Sequence, residues 1–409
     1  MSSIKRYLVG GAIRDRLLGR EGLDRDWVVV GATPERMVEL GYLPVGKDFP
    51  VFIDRDSGEE HALARTERKT AKGYQGFQFN ASPDITLEQD LQRRDLTINA
   101  MAEDESGVII DPFHGQQDLQ AGILRHVSDA FVEDPVRVLR TARFAARFKF
   151  KVAAETQALM SKMVANGEVD ALVPERVWAE MRKALDTDAP QIFFQVLRDC
   201  GALARVLPEI DALFGIPQTA KYHPEIDTGV HTMMVVEQAV RLSDDPLVRF
   251  ASLVHDLGKA ETPKDELPSH KGHERRGLPL VRTLCARLRV PKKFQSLALA
   301  VSEYHLHMHK MFELRPQTIL TMLENTRSLM DDERAQQIAL CCIADARGRT
   351  GFEDHDYQQA ALYLRFQQAA KQVDAGALAK GLTDGKKIQQ KVHRARLDAI
   401  KAVPRVVPD

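Results

Sequence analysis

The sequence predicts an α+β protein, a small mixed α/β head followed by an all-helical neck, body, further domain and tail. Up to about Asp134, short β-branched runs alternate with helical patterns. Beyond it the strand signals stop and 3.6-residue periodicity takes over, through 135–148, 154–165, 174–185 and 191–200. No apolar run approaches the ~18 residues that a membrane helix needs. The breaks at Pro208, Pro217 and Pro224 set a further boundary. The expected segments are 1–134 (head), 135–227 (helical neck and body), 228–329 (a second functional domain) and 330–409 (helical tail).

In the head, Tyr7-Leu8-Val9 reads as a strand that ends at Gly10-Gly11. Ala12, Ile13, Leu17 and Leu18 supply the apolar side of a following helix, closed by Gly19. Asp26 to Val30 is rich in β-branched residues and reads as a strand. Thr33-Pro34 is an N-cap followed by a first-turn proline. Val51 to Asp54, a turn at Asp56-Ser57-Gly58, and Glu60 to Arg65 read as a hairpin. Arg68 to Pro83 lacks a period and is expected to be a mobile loop.

With 409 residues the chain has room for several domains at ~100–200 residues each. Hydrophobic residues at 44% and charged residues at 28% exclude a wholly disordered chain. A net charge of −1 excludes a polycation of the histone kind but not a local basic groove. The four cysteines form no CxxC pair, and Met1 to Arg20 has no continuous apolar stretch. Free thiols in a reducing cytoplasm are expected.

Three constellations carry chemistry. Gly10-Gly11 at a strand-to-helix turn lets a phosphate approach backbone N–H groups, with Arg14 one turn on. Asp24 and Asp26 flank Arg25 and, by strand alternation, point the same way, ~7 Å apart. Two such carboxylates can share the divalent ions that nucleotidyl transfer uses. Alone, each feature also fits a plain turn or a solvated strand end. The ordered set points to a nucleotidyltransferase palm, with Glu59 or Glu60 as candidate third carboxylate.

Second, Arg93-Arg94 stands ready to offset a triphosphate's charge. The helix starting at Pro135 places Arg137, Arg140, Arg143 and Arg147 on one face, with no acid between Asp134 and Glu155. Such crowding is expected to require an anion, either triphosphate or RNA backbone. Asp134 and Arg137, one turn apart, offer acceptors and donors suited to base edges.

Third, His255-Asp256 ends an apolar helix, His231 stands upstream and Asp345 far downstream, a combination able to ligate a divalent metal. His270, His273 and His305 are further candidates. The His305, His307, His309 alternation does not fit one helix face and is expected to lie mostly at the surface. Imidazole-rich sites suit nickel, cobalt, manganese or zinc, whereas paired carboxylates suit magnesium.

The run Leu8 to Asp15, Asp24-Arg25-Asp26, Arg93-Arg94-Asp95 with Thr97-Ile98-Asn99-Ala100, and Glu133 to Arg137 resemble the successive motifs of class II CCA-adding enzymes, the tRNA nucleotidyltransferases. The resemblance implies that Asp24 and Asp26 hold Mg2+ and that Gly11, Arg14, Arg94, Arg140 and Arg143 contact nucleotide phosphates. It also implies that Glu133, Asp134 and Arg137 select CTP or ATP, with tRNA as acceptor. Bacterial poly(A) polymerase shares this head and is the alternative. So is a phosphohydrolase whose head only binds RNA. The His231, His255-Asp256, Asp345 set resembles HD-domain phosphohydrolases. With such a domain at 228–329, the likeness is to the multifunctional type. That implies a transition metal, Ni2+ first and then Co2+ or Mn2+, for 2′,3′-cyclic phosphodiesterase, 2′-nucleotidase and phosphatase activities in a monomer or homodimer.

Overall fold

The computed structural model describes residues 4–20, 25–45, 51–69 and 77–406. Asp24 lies outside them. The chain divides into two compact units, Met1–Ala184 with Ile192–Val206, and Leu185–Gln191 with Leu207–Asp409.

The first unit opens with β1 (Lys5–Val9), α1 (Gly11–Leu17), β2 (Asp26–Val30), α2 (Pro34–Glu39), β3 (Leu43–Val45), β4 (Val51–Ile53) and β5 (Glu60–Leu63). The Thr33 side chain accepts from the Arg36 N–H, so the capping reading of that segment holds. Strands β8 (Ala102–Glu103) and β9 (Ile109–Ile110) complete a seven-stranded sheet in the order β3-β4-β5-β2-β1-β8-β9. Side-chain alternation covers both its faces. Val9 and Val28 pack with Leu91 and Ala100 on one side, while Leu8 joins Ala12, Ile13 and Met101 on the other. The 51–65 hairpin is β4 against β5, as its sequence indicates.

The expected loop from Arg68 to Pro83 is corrected at its two flanks, while 70–76 lie outside the described residues. At those flanks β6 (Thr66–Lys69) and β7 (Phe77–Asn80) pair antiparallel as a separate two-stranded sheet. Nothing in the local period marks it, because two short strands with their own ladder need no alternation toward a shared core.

Helices α3 (Leu87–Gln92), α4 (Gly115–Ala121), α5 (Val136–Phe148), α6 (Ala154–Ala165), α7 (Pro174–Leu185) and α8 (Gln191–Asp199) follow, with the short pair β10 (Ile123–Leu124) and β11 (Lys151–Val152). Helix α5 is almost wholly buried, because Val138, Leu139, Ala142, Ala145 and Ala146 leave no room for solvent.

After the one-turn helices α9 (Leu203–Val206) and α10 (Pro208–Asp211), the second unit is helical. It comprises α11 (Thr228–Leu242), α12 (Pro246–Val254), α13 (His273–Arg287), α14 (Lys292–His309), α15 (Pro316–Asn325), α16 (Asp332–Arg347), α17 (Gln358–Lys371), α18 (Ala375–Ala379) and α19 (Gly385–Ala402). Helices α11, α12, α14 and α16 pack around Val235, Val236, Phe250, Val254 and Val301. No helix among the described residues is long and apolar enough to cross a membrane. The four cysteines are free and buried.

Candidate active sites

In the first unit, β1 and β2 run antiparallel with Val9 opposite Asp26. This register sets the Asp26 carboxylate beside the Gly10-Gly11 turn. Gly10 has φ +72°, the left-handed region that favours glycine, and Arg94 Nη1 lies close over the turn, 2.9 Å from where a Cβ would stand. Asp26 and both glycines line a cavity of about 730 Å3, whose wall includes nine cationic and four carboxylate side chains.

Arg93, Arg94, Arg137, Arg140, Arg143 and Arg147 all reach this cavity, and α7 adds Arg176 and Lys183, which the sequence reading missed. The expectation that the arginine face of α5 needs a bound anion is corrected. Its acids come from other elements rather than from the helix. Arg140 Nε donates to Asp95 Oδ2 at 2.8 Å, Arg147 donates to Asp15 at 2.8 Å, and Arg143 pairs with Glu180. Arg137 donates to the Ala130 and Arg93 carbonyls at 2.7 and 2.6 Å. Arg93 and Arg94 share the buried Asp90.

Burial opposes ionisation of Asp95, but Arg140 and the Asn99 amide overcome it and hold the carboxyl well below its ordinary range. Arg14 is buried, donates to Asp15 and Asn99, and lies over the Phe144 and Phe148 rings. Arg176 grips both oxygens of Asp134, which also caps the Val136 N–H. The arginines are thus fixed in place while cations still outnumber acids around the cavity. Of the two candidate third carboxylates, Glu59 is engaged by Trp27 Nε1 at 2.7 Å and by Arg25. Those two residues alternate with Asp26, so Glu59 sits on the opposite face. Glu60 stands in register beside Asp26.

In the second unit the four residues predicted from sequence converge, all buried. His231 Nε2 is 3.1 Å from Asp345 Oδ1, and His255 Nε2 is 3.2 Å from Asp256 Oδ2 and 3.6 Å from Asp345 Oδ1. Backbone carbonyls fix the tautomers, since a carbonyl only accepts. His231 Nδ1 donates to Gly348 O at 2.9 Å and His255 Nδ1 to Ser252 O at 2.7 Å. In the neutral rings both Nε2 lone pairs therefore face the carboxylates.

His255 Nε2 and Asp256 Oδ1 are buried with no hydrogen-bond partner. Ligand atoms ~2.1 Å from one ion lie ~3–3.5 Å apart, so this donor set fits a divalent transition metal. Burial disfavours charge on His255, yet Asp256 and Asp345 outweigh it and raise its pKa to about 10. A metal ion would do the same work and compete with that proton. Both carboxyls are held well below the ordinary range despite burial, Asp256 by His255 and Lys259, Asp345 by His309 and His255.

The reading of His305, His307 and His309 as mostly surface residues is corrected. His305 is 2% exposed, and His309 Nε2 lies 2.8 Å from Asp345 Oδ2 while Tyr357 OH meets its Nδ1. The i, i+4 spacing of His305 and His309, not the i, i+2 alternation, was the signal, since one turn puts both on one face. Lys259 Nζ lies 2.6 Å from Asp256 Oδ2 and is held by Gln218. A cavity of about 440 Å3 opens onto Asp256 and Asp345 and is rimmed by Lys259, Lys271, Lys310 and Arg349.

Family profiles match both units. The Poly A polymerase head domain matches 6–125, the probable RNA and SrmB-binding site of polymerase A matches 149–214, and the HD domain matches 228–346, which includes Asp345. The architecture is that of a nucleotidyltransferase head of the poly(A) polymerase type followed by an HD domain. More narrowly, the chain belongs to the multifunctional CCA protein family. It is 59% identical over 403 residues to the Multifunctional CCA protein of Thioalkalivibrio sulfidiphilus, covering 97% of this chain and 98% of that one. Against the Vibrio campbellii protein of the same name it is 56% identical over 398 residues, again 97% and 98%. Among solved structures, the Thermotoga maritima CCA-adding enzyme complexed with tRNA_CCA shares the fold, with TM-score 0.66, 20% identity, and 99% and 89% of the two chains covered. The Bacillus stearothermophilus CCA-adding enzyme in complex with CTP aligns with TM-score 0.63 at 21% identity over 98% and 89%.

Proposed function

We propose that the chain builds and repairs the 3′-terminal CCA of tRNA from CTP and ATP, and that its HD domain hydrolyses phosphoesters at RNA 3′ ends. The observation that supports this best is the cation-rich cavity with Asp26 and the Gly10-Gly11 turn in its wall. A triphosphate laid on that turn meets backbone N–H groups and the guanidinium of Arg94, with Arg140 and Arg143 nearby. The terminal tRNA hydroxyl attacks the α-phosphorus, and pyrophosphate leaves toward the arginines. Asp26, with Asp24 before it, would hold magnesium, which when bound lowers the charge barrier of that displacement. Glu133, Asp134 and Arg137 select the base. Arg137 suits that role because two carbonyls fix its guanidinium and the Arg176 ion pair fixes Asp134, so both groups are held in place before the nucleotide arrives.

In the HD domain His231, His255, Asp256 and Asp345 would hold a transition metal, nickel first by the family likeness, which when bound supplies Lewis acidity for phosphoester hydrolysis. Lys259 and the basic rim draw the anionic substrate in, toward 2′,3′-cyclic phosphates, 2′-nucleotides and phosphomonoesters. The cavity lies open, so a strand end can enter. A cytoplasmic setting, where the buried thiols stay reduced, matches a tRNA substrate.

The test is incubation with tRNA lacking its terminal CCA, Mg2+ and labelled CTP or ATP. Addition that stops after C, C and A supports the reading. An open-ended A tract assigns the head to poly(A) synthesis, and no incorporation leaves only RNA binding and hydrolysis.

A further inference from the structure

We infer that Glu225 is a positioning residue that braces two imidazoles on one carboxylate oxygen: His231 as a metal ligand, and His223 as the acceptor of a hydrogen bond from a free ribose hydroxyl beside the reacting phosphate. The inference rests on the HD-domain reading above and deepens it, because it singles out ribose 2′-phosphates with a free 3′-OH as the ester class that the cavity recognises. Glu225 stands just before α11, with its side chain 2% exposed. A carboxylate buried to that degree has to be hydrogen-bonded. Its Oε1 is 3.0 Å from His223 Nδ1 and 3.1 Å from His231 Nδ1.

The backbone is bent to put that oxygen there. Ile226 has φ +62°, a conformation that strains a β-branched residue. Asp227, next along, accepts from the Val230 N–H at 2.9 Å and from the Gly215 N–H at 2.6 Å. The strained residue thus lets Glu225 turn inward while its neighbour but one caps α11. Thr350, at the far end of α16, reaches Glu225 Oε2 with its N–H at 3.5 Å, so both oxygens are addressed.

The ring hydrogens follow. His231 Nδ1 already donates to the Gly348 carbonyl, and Glu225 Oε1 meets the same N–H as a second acceptor. A carboxylate on that side of the ring fixes its orientation and makes Nε2 a stronger ligand. A carboxylate accepts, so His223 Nδ1 carries its hydrogen too. His223 lines the cavity together with Asp256 and Asp345, and its ring centroid is 4.6 Å from that of His231. With Nδ1 turned to Glu225, Nε2 is the nitrogen left for the cavity, and in the neutral ring it presents a lone pair. A lone pair repels a phosphate oxygen and accepts from a hydroxyl. On a ribose 2′-phosphate the vicinal 3′-OH is the donor next to the reacting group. A 2′,3′-cyclic phosphate has no such hydroxyl.

The test uses the full chain carrying Asp26→Ala as parent, so that the head contributes no ion. Its probes are Co2+, followed by equilibrium dialysis, and two esters, adenosine 2′-phosphate and its 3′-deoxy analogue. The parent should bind Co2+ and show a KM for the 3′-deoxy ester roughly 3–10-fold higher, the share of one hydrogen bond. His223→Ala should raise KM for adenosine 2′-phosphate by that factor and not that for the analogue, so the preference disappears. Glu225→Ala should weaken Co2+ binding about 10–100-fold and erase the preference as well. Glu225→Gln, which keeps the side-chain volume and an acceptor oxygen, should restore the preference and part of the Co2+ affinity. Co2+ binding that is unchanged in Glu225→Ala overturns the brace. A parent that does not distinguish the two esters, or a His223→Ala variant whose KM rises equally for both, overturns the hydroxyl contact. Co2+ binding weakened as much by His223→Ala as by Glu225→Ala assigns His223 to the metal centre and overturns its role toward substrate. A parent that binds no Co2+ overturns the HD-site reading itself, and the inference with it.

Discussion

Asp95→Asn is the substitution that decides whether the arginine face is held by the protein's own acids or by a ligand. Asp95 Oδ1 accepts from the Leu96 N–H and from Asn99 Nδ2, both at 2.9 Å, while Oδ2 accepts from Arg140 Nε at 2.8 Å. Asparagine keeps an oxygen for the first two bonds and sets an NH2 against the guanidinium, so one interaction is lost and turns repulsive. Removing one partner of a fully buried pair costs ~3–5 kcal/mol, and because Arg140's side chain is 36% exposed, solvent recovers part of it, leaving about 2–3 kcal/mol. At ~2–4 °C per kcal/mol for a unit of this size the melting temperature falls by roughly 4–12 °C.

Both tryptophans, Trp27 and Trp178, lie in the first unit, so their fluorescence reports that unit alone. Asp95's carboxyl is depressed in the fold, so its contribution is fully present above the unfolded value of ~3.9 and is lost progressively as pH falls from there through the much lower folded value. The gap between parent and variant should therefore begin to narrow below about pH 4 and go on narrowing with further acid. A variant that melts within about 1 °C of the parent at neutral pH, or a gap that widens in acid, would refute this account.

Other outcomes follow from the same geometry. Asp26→Ala should abolish nucleotide incorporation and leave hydrolysis of a cyclic phosphate intact; loss of both would mean a single shared centre. His255→Ala should do the reverse, read in the same two assays. Arg137→Ala should raise misincorporation of the wrong nucleotide at least tenfold before total incorporation falls, since its guanidinium fixes donors rather than supplying charge; unchanged selectivity removes it from base choice. Gly258→Ala should melt the second unit by cooperative loss of the α13 contact, ~2–4 kcal/mol seen by far-ultraviolet circular dichroism, with the tryptophan transition unmoved.

What could be read directly in the sequence was what depends on neighbours along the chain. The β1 strand with its glycine turn, the 51–65 hairpin, the Thr33 cap and the His255-Asp256 pair each declare themselves within a few residues. The partners of the α5 arginines do not. Asp15, Asp95 and Glu180 meet the arginines of α5 only because the fold brings them there, whereas Asp90 answers Arg93 and Arg94 from three and four residues away. A helix pattern shows that like charges crowd one face, but not which distant residue answers them. His305 failed differently. It was weighed against its i+2 neighbours, whereas its burial is decided by α12 and α13 packing on α14. The pairing of β6 with β7 left no trace because two short strands that share a ladder need no alternation in sequence.

The two sites answer one electrostatic problem in opposite senses. In the head, guanidinium groups are packed at a density that only tertiary acids make tolerable, and the acids stop short of neutrality, so the cavity attracts a polyanion without needing one to fold. In the HD domain the floor of the cavity carries a surplus of lone pairs and carboxylates, so an anionic phosphoester drawn to the rim by Lys271, Lys310 and Arg349 still meets repulsion where it must react, at Asp256 and Asp345. Lys259 is already committed to Asp256 and Gln218 and does not by itself cancel those two carboxylates. An order of events follows: the head can take its nucleotide as it stands, whereas the HD site has to gain cations before its substrate can dock. Phosphoester binding to the HD domain should therefore vanish under chelation, while ATP bound at the arginine cavity should weaken only by the share that magnesium contributes, a difference that equilibrium dialysis in chelator reads directly.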